Sequence, residues 1–155
     1  MNSINNLQTQ VMLAARDNGI SSVLFRNAIG RKLKLSVTES ECLSLLMIKG
    51  TSTPTELARY TGLTTGSTTT MLDRLEKATL IRRTPNPNDR RGVLVEISPV
   101  YTEMAGPLVA GVQKAHTELL ATYSDKELEI IKDFLTRFTG NVTTQTAIIE
   151  KDTNK

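Results

Sequence analysis

The sequence predicts a mainly α-helical protein with one small β-hairpin. Apolar residues recur at helical spacing toward both ends of the chain, and several Ser/Thr-x-x-Glu capping boxes mark helix starts. The hairpin is predicted because two β-branched runs, residues 80–84 and 92–97, flank the turn-forming segment Pro85-Asn86-Pro87-Asn88-Asp89.

Length and charge indicate one domain with a phosphate-binding surface. A chain of 155 residues is long enough for a single domain with a hydrophobic core. The formal net charge is only +3, but positive charge is concentrated between residues 74 and 92, which contain six Lys/Arg and two acids. Local positive charge of this kind is what binding to nucleic-acid phosphates requires.

Several protein classes are excluded or disfavoured by what the sequence contains. No apolar run approaches the length of a membrane span, and no signal-peptide pattern is found, so we expect a cytoplasmic protein without a membrane partner. The single cysteine, Cys42, cannot form an internal disulfide. One cysteine and one histidine, His116, cannot build a zinc site or a familiar catalytic triad. We therefore expect no enzyme activity, metal or cofactor.

The N-terminal segment is predicted to be one long helix over about residues 3–31. We expect Gly19 to kink or divide it. A helix of this length cannot bury its apolar stripe on itself, so another element or another subunit must cover it. The stripe consists of Ile4, Leu7, Val11, Ala14, Val23, Leu24 and Ala28.

Two capping boxes predict the next two helices. Thr38-Glu39-Ser40-Glu41 predicts a helix with Thr38 as N-cap, ending near Gly50. Residues 51–53 can form a very short strand. Thr53-Pro54-Thr55-Glu56 predicts a shorter helix, which Gly62 stops within three turns.

The helix after Gly62 is predicted to begin at Thr64 or Thr65 and to end near Ala78, which completes a helix-turn-helix. Its buried stripe is Met71, Leu72 and Leu75, with Thr68 on the margin. Gly66 costs this helix roughly 1 kcal/mol relative to alanine. Close approach of a DNA backbone would explain the glycine, and packing would also explain it.

The helix-turn-helix and the hairpin together predict a winged helix-turn-helix. A polar helix face can enter a major groove, and a basic hairpin can reach the neighbouring minor groove. The recognition-helix candidates for DNA contact are Thr64, Thr65, Ser67, Thr68, Thr69 and Arg74. A solvated helix face without a DNA role is the alternative.

Basic residues extend this interface into the hairpin, whose tip carries Asp89, Arg90 and Arg91. The carboxylate of Asp89 can hold the guanidinium of Arg91 and aim it at a narrow minor groove. A surface ion pair of small energetic effect is the alternative. Phosphate contacts or intramolecular ion pairs are expected for Arg74, Lys77, Arg82 and Arg83, and an Asp73–Arg74 pair can instead be structural.

Two further helices are predicted at the C-terminal end. Ser98-Pro99 begins the first, and Pro107 predicts a kink or a new helix start near Gly106. Ser124-Asp125-Lys126-Glu127 begins the second, and we expect Gly140 to end it, with a polar tail that frays or continues as helix. The apolar stripes are Tyr101, Met104, Leu108, Val112, Ala115 and Leu119, then Leu128, Ile131, Leu135 and Phe138.

This order of elements resembles the MarR family of bacterial transcriptional regulators over nearly the whole chain. The most specific matches are Leu72-Asp73-Arg74-Leu75-Glu76-Lys77 and Asp89-Arg90-Arg91. Residues 35–46 and 57–63 fit the same framework. One departure is that the family usually has a glycine after the recognition helix, where this chain has Ala78-Thr79.

The resemblance implies a homodimer with intertwined terminal helices, and the long apolar stripes agree with it. It divides the chain into an N-terminal dimerisation helix (1–34), a DNA-binding lobe (35–98) and C-terminal dimerisation helices with a tail (99–155). It also makes Arg91 the groove residue and Asp89 its orienter. Dimerisation is assigned to Leu7, Val11, Leu108, Val112, Leu119, Leu128, Ile131, Leu135 and Phe138.

The function implied is a sequence-specific regulator of transcription, most simply a repressor, whose partner is double-stranded DNA carrying a pseudo-palindrome. Family members often release DNA when a small aromatic or anionic effector binds, and some sense oxidants through cysteine. For Cys42 we favour an unreactive structural role, because it occupies an apolar position in the helical repeat of its predicted helix. A winged-helix module that docks on another protein, without sequence-specific DNA binding, is the alternative function.

Overall fold

The structure is a computed structural model that describes residues 6–153, apart from the side chains of residues 90, 91 and 150–153. Its helices are α1 (Asn6–Lys32), α2 (Val37–Lys49), α3 (Pro54–Thr61), α4 (Thr65–Lys77), α5 (Pro99–Leu120) and α6 (Asp125–Thr153). An antiparallel hairpin of β1 (Ile81–Asn86) and β2 (Asp89–Ile97) lies between α4 and α5 in the chain. The predicted fold class, mainly α with a small hairpin, is confirmed. Residues 3–5, including Ile4, lie outside the described part.

Two compact units make up the chain, Met1–Leu108 and Val109–Lys155. The first contains a continuous core, in which α2 and α4 supply most of the side chains and the hairpin covers them. Complete burial of each of these aliphatic side chains stabilises the unit by about 1.5–3 kcal/mol. The core residues are Cys42, Leu43, Leu45, Leu46, Leu57, Met71, Leu72, Leu75, Leu80, Ile81, Val95, Tyr101 and Ala105.

The wing is anchored to this core through Val95, which is fully buried. Ser52 forms one isolated bridge with it, with N···O distances of 3.0 and 2.8 Å. The short strand expected at residues 51–53 is therefore a single bridging residue. This bridge attaches the hairpin to the segment between α2 and α3.

The start of α2 differs from the prediction. Its N-cap is Ser36, whose hydroxyl accepts a hydrogen bond from the Glu39 N–H at 3.2 Å, while Glu39 Oε2 accepts from the Ser36 N–H at 2.8 Å. The prediction that Thr38 caps this helix and Glu41 reaches back is wrong. Ser-x-x-Glu and Thr-x-x-Glu overlap with a two-residue offset here, and the earlier box adds half a turn to the helix.

Helix α1 runs without interruption through Gly19, so this glycine does not divide it. Near its end, Gly30 is buried against α2. A Cβ atom added at Gly30 would overlap Ser40 Oγ and would lie 3.4 Å from Ser40 Cβ. The glycine therefore permits a close approach of the two helices. The Ser40 hydroxyl is buried without a hydrogen-bond partner among the described residues.

The C-terminal helices are also longer than predicted. Ser98 caps α5 as expected, with its hydroxyl accepting from the Tyr101 N–H at 3.2 Å. The helix continues through Pro107, so no new helix begins near Gly106. Glu127 and Ser124 form the predicted capping box of α6. Gly140 does not end α6, because a helix-interior glycine costs only about 1 kcal/mol and the helix continues to Thr153.

Among residues 6–153, no helix combines the length and apolar character needed to cross a bilayer.

The contact between α1 and α2 generates a prediction about stability. We expect Gly30→Ala to lower the free energy of unfolding by about 1–3 kcal/mol, because the new methyl group overlaps the Ser40 hydroxyl. Ser40→Ala alone should be neutral or stabilising, because it removes a buried hydroxyl that has no partner among the described residues. Urea denaturation of the two single variants and the double variant measures the coupling. Equal losses for Gly30→Ala with and without Ser40→Ala would contradict the proposed overlap.

Candidate nucleic-acid interface

Helices α3 and α4 form the predicted helix-turn-helix. The second capping box is confirmed, since Thr53 Oγ1 accepts from the Glu56 N–H at 3.2 Å and Glu56 Oε2 accepts from the Thr53 N–H at 2.7 Å. Gly62 ends α3 in the left-handed conformation, with φ of 68°. Thr64 then caps α4, and its hydroxyl accepts from the Ser67 N–H at 3.2 Å.

The faces of α4 are divided between core and solvent. Met71, Leu72 and Leu75 are buried, as predicted. Thr68 departs from the prediction of a groove contact, because it is only 1% exposed and its hydroxyl donates to the Thr64 carbonyl at 2.9 Å. It lies one turn before Leu72, on the face that packs into the core. The other candidates on this helix, Thr64, Thr65, Ser67, Thr69 and Arg74, are exposed.

The exposed hydroxyls of α4 differ in what they can offer a ligand. Thr69 and Thr70 donate to the carbonyls of Thr65 and Gly66, at 3.0 and 3.1 Å. Their oxygens therefore face outward as acceptors beside a methyl group, a combination suited to base edges rather than to phosphate oxygens. Thr64 donates to Ser67 Oγ at 3.0 Å, which leaves the Ser67 proton available for an outside acceptor.

Gly66 lies in open space on this face. A Cβ atom added there would meet nothing within 4 Å among the described atoms. Packing inside the chain therefore does not explain the glycine. Of the two explanations considered from the sequence, close approach of a second molecule is the one that agrees with this geometry.

A polar groove of about 320 Å³ runs between the start of α2 and the exposed face of α4. Sequence reasoning did not connect these two segments, because only the fold brings them together. The lining combines hydroxyl groups and one guanidinium with two apolar side chains, and consists of Ser36, Thr38, Leu63, Ser67, Thr70, Met71 and Arg74.

The arginines near α4 divide by how they are paired. Arg74 Nε donates to Glu39 Oε1 at 2.8 Å, and Arg82 Nε donates to Glu96 Oε1 at 2.7 Å. Both side chains remain largely exposed, at 66% and 60%. No ion pair to Lys77 is found in the described part of the chain, and Lys77 is exposed. These three residues keep cationic groups that a phosphate can reach.

Arg83 is different, because its guanidinium is used inside the chain. Its two terminal nitrogens pair with Asp73 and with Glu76, and its backbone N–H donates to Glu76 Oε1 at 3.2 Å. The intramolecular role that was one of the two expectations for Arg83 therefore holds. Asp73 pairs with Arg83 rather than with its neighbour Arg74, so the suggested Asp73–Arg74 pair is wrong.

The wing is a tighter hairpin than the sequence suggested. Pro85 pairs with Val93, the register shifts before Asn86, and Asn86 pairs with Asp89. The turn is thus reduced to residues 87 and 88, and the Asn88 N–H donates to Asn86 Oδ1 at 3.0 Å. A Cβ atom at Gly92 would lie 3.0 Å from Asp89 Oδ2, so this glycine makes room for the carboxylate. Arg90 and Arg91 follow directly, and their side chains are outside the described set.

The C-terminal end of α4 contains a non-glycine residue in a left-handed conformation. Thr79 has φ of 59°, its N–H donates to the Glu76 carbonyl at 2.8 Å, and the Leu80 N–H donates to the Leu75 carbonyl at 2.9 Å. These bonds form a Schellman motif, in which glycine usually occupies the position of Thr79. The sequence departure noted at Ala78-Thr79 therefore places a β-branched residue where it is strained.

Cys42 and His116 lie in opposite environments. Cys42 is fully buried, and burial, followed by the nearby Glu39 carboxylate, raises the pKa of its thiol to about 11. The thiolate is the reactive form, so this position disfavours reaction with oxidants at neutral pH. His116 is exposed on α5.

The residues assigned to dimerisation leave apolar surface uncovered in the single chain. Leu7, Leu119 and Leu135 are at least half exposed, and Val11 is 40% exposed. Of the side chains described on α6, none is buried. The remaining members of the set are partly buried and consist of Leu108, Val112, Leu128, Ile131 and Phe138.

Comparison with known proteins identifies the family. Residues 35–93 match the model of the MarR family. An uncharacterised HTH-type transcriptional regulator from Bacillus subtilis, YcgE, is 34% identical over 134 residues, which cover 86% of this chain and 87% of that protein. This chain belongs to the MarR family. As a MarR-family protein it is a DNA-binding transcriptional regulator and not an enzyme.

Solved structures agree with this assignment. A mutant of MarR from Escherichia coli, complexed with operator DNA, is 25% identical with a TM-score of 0.50, and the match covers 86% of this chain and 99% of that one. NadR in complex with 4-hydroxyphenylacetate shares the fold, with 20% identity, a TM-score of 0.56, and coverage of 89% and 96%.

The strained end of α4 generates a second prediction about stability. We expect Thr79→Gly to raise the free energy of unfolding by about 0.5–1 kcal/mol, because relief of the left-handed strain exceeds the entropy that glycine adds to the unfolded chain. Thr70→Gly on the exposed face of the same helix serves as a control and should be destabilising by a few tenths of a kcal/mol. Thermal melting distinguishes the signs, and a lower melting temperature for Thr79→Gly would rule out strain at this residue.

Proposed function

We propose that this regulator is a cytoplasmic homodimeric repressor that binds a pseudo-palindromic operator and is released by a small effector. The single observation that carries the proposal is the combination of an exposed recognition helix with terminal helices that leave many of their described apolar side chains exposed in one chain. The exposed recognition helix supports sequence-specific binding of DNA. The exposed terminal helices support association of two chains into a dimer. A two-fold axis then presents two recognition helices to half-sites about one helical turn apart.

The dimer is supported by the apolar surface of α1 and α6. Eight large apolar side chains of α1 are exposed, from Leu7 to Phe25, with Leu7 63% and Ile20 61% exposed. On α6, Val142 is 57% and Leu135 50% exposed, and the two lie on the same face of the helix. Exposed apolar surface on this scale is unfavourable in water, and burial against a second copy of the chain would stabilise both. We therefore assign residues 1–34 and 99–155 to dimerisation and residues 35–98 to DNA binding.

In the proposed complex, α4 enters the major groove and the wing, formed by β1 and β2, reaches the adjacent minor groove. Thr65 and Ser67 face phosphates or bases. The methyl group of Thr69 faces a thymine methyl, and its hydroxyl oxygen accepts from a base-edge donor. Arg74, Lys77 and Arg82 contact phosphates, while Arg91 enters the minor groove with Asp89 as its orienter. Short side chains discriminate weakly between bases, so DNA shape contributes to specificity.

Release by an effector is proposed from the likeness to NadR, which was solved with 4-hydroxyphenylacetate. A small aromatic or anionic compound could bind preferentially to a conformation in which the two DNA-binding lobes of the dimer are wrongly spaced for the operator. It would then weaken simultaneous docking of both lobes on the two half-sites. A mobility shift on the region upstream of the protein's own gene, with and without a panel of phenolic carboxylates, tests both binding and release. Binding that no compound alters would remove those compounds as effectors.

The dimer is tested by a charge placed on the apolar face of α6. We expect Leu135→Asp to shift the protein from dimer to monomer at micromolar concentration, because the carboxylate would be buried without a partner in the interface. Thr144→Asp is a matched control, since it lies on the opposite side of the same helix. Sedimentation velocity on both variants decides the matter. A wild-type monomer, or a Leu135→Asp variant that remains dimeric, would contradict the assignment of α6.

The wing is tested by Arg91→Ala. We expect operator affinity to fall by more than about 1 kcal/mol with little change in melting temperature, because the residue contacts DNA rather than the core. Arg137→Ala on α6 removes the same charge from a side chain that is 79% exposed and serves as a control. Fluorescence anisotropy with a labelled upstream duplex gives the affinities. Unaltered binding by Arg91→Ala would refute the wing assignment.

A further inference from the structure

Glu39 is a buried carboxylate that serves two helices. Its side chain is 7% exposed. One oxygen, Oε2, accepts from the Ser36 N–H at 2.8 Å and completes the capping box of α2. The other, Oε1, accepts from Arg74 Nε on α4 at 2.8 Å. The first contact accounts for a glutamate at this position in the helix, and the second requires a further explanation.

The bond to Arg74 fixes the direction of an exposed guanidinium. Because that group is planar, holding Nε sets the orientation of the two terminal nitrogens, Nη1 and Nη2. Neither of them has a partner in the described part of the chain, and the side chain is 66% exposed. Arg83 provides the contrast, since both of its terminal nitrogens are used by Asp73 and Glu76 and its side chain is 24% exposed.

The surroundings of Arg74 identify the chemistry that its free end fits. Arg74 lines the polar groove together with the hydroxyl-bearing residues Ser36, Thr38, Ser67 and Thr70. Of these hydroxyls, Ser67 keeps a proton for an outside acceptor, whereas Thr70 donates inside the helix to the Gly66 carbonyl. The Arg74 guanidinium beside the Ser67 hydroxyl is a donor set that fits phosphodiester oxygens. The carboxylate of Glu39 is on the buried side of Arg74, so it does not compete with an anion arriving from solvent.

We propose that Glu39 is a positioning residue that holds Arg74 by Nε and thereby presents the Nη end to a phosphate of the DNA strand beside α4. This role rests on the proposed docking of α4 in the major groove. It assigns to Glu39 a contribution to DNA affinity that passes entirely through Arg74.

The direction in which loss of the Glu39 charge changes DNA affinity distinguishes a positioning role from a general electrostatic effect. Removal of a negative charge near a polyanion should strengthen DNA binding if charge alone matters. Removal of a positioning carboxylate should weaken DNA binding. In the variant, Arg74 is free to change rotamer until DNA binds, so binding has to order it, whereas in the wild-type protein Glu39 already holds it. Glu39→Gln retains an oxygen for the Ser36 N–H and removes the charge that holds Arg74.

A matched control is present in α3. Glu56 completes the capping box of Thr53 in the same manner, with Oε2 accepting from the Thr53 N–H at 2.7 Å. It forms no ion pair with an arginine among the described residues. Glu56→Gln therefore removes the same charge from the same kind of cap without disturbing a phosphate-facing side chain.

The experiment measures binding of a fluorescein-labelled duplex from the region upstream of the protein's own gene, and of a random-sequence duplex, over a range of salt concentrations. We expect Glu39→Gln to weaken binding about three- to tenfold and to lower the salt slope by up to about 0.9, the value for one phosphate contact. Glu56→Gln should leave affinity unchanged or slightly stronger. Melting curves confirm that each variant is folded at the assay temperature.

Two Arg74 variants test whether Glu39 acts through this residue. Arg74→Ala should weaken binding, and Glu39→Gln should have no further effect in that background. Arg74→Lys keeps a charge beside Glu39, which protects the fold, but its single ammonium cannot pair with the carboxylate through one nitrogen and present two others. It should therefore lose affinity to nearly the same extent as Arg74→Ala.

Three results would overturn the role of Glu39 while leaving the proposed function intact. These are normal or tighter DNA binding by Glu39→Gln, a loss that persists in the Arg74→Ala background, and full retention of affinity by Arg74→Lys. Absence of wild-type binding to either duplex would refute the proposed docking of α4 and this role with it.

Discussion

The ion pairs of Arg83 fix the orientation of the hairpin relative to α4. Asp73 and Glu76 lie one turn apart on α4, and Arg83 reaches both of them from β1 with its two terminal nitrogens. The Arg83 N–H also donates to Glu76, so backbone and side chain are held together. A planar guanidinium that binds two carboxylates resists rotation of the hairpin about α4. Together with the bridge between Ser52 and Val95, these contacts hold the hairpin in one orientation against α4.

Most of the fold was predictable because its signals are local. Capping residues, the proline at the start of α3 and the glycine at its end all act within one helical turn, and these were correctly interpreted. The errors occurred where two local signals compete or where a weak signal is overridden. Two capping boxes overlap at Ser36 and Thr38, and the sequence does not rank them. Gly140 was expected to end α6, but its penalty is small against the continuing helical hydrogen bonds.

The candidate site was less predictable, because charge pairing depends on residues that are distant in sequence. Arg74 and Glu39 are 35 positions apart, and Arg82 and Glu96 are 14 apart. A sequence shows that these side chains are charged, but not which arginine is consumed inside the chain and which remains available. Thr68 illustrates the same limit at the level of one helix, since its position on the margin of the stripe was recognised and its complete burial was not.

The strained Thr79 connects the end of α4 to the start of α5. Its carbonyl accepts a hydrogen bond from Ser98 Oγ, and the same hydroxyl accepts from the Tyr101 N–H to cap α5. The Ser98 N–H donates to the Leu80 carbonyl at 3.0 Å. The last turn of α4 and the first turn of α5 are thus tied through one serine. A movement of the start of α5 would therefore be transmitted to the end of α4 through direct hydrogen bonds rather than through a flexible linker.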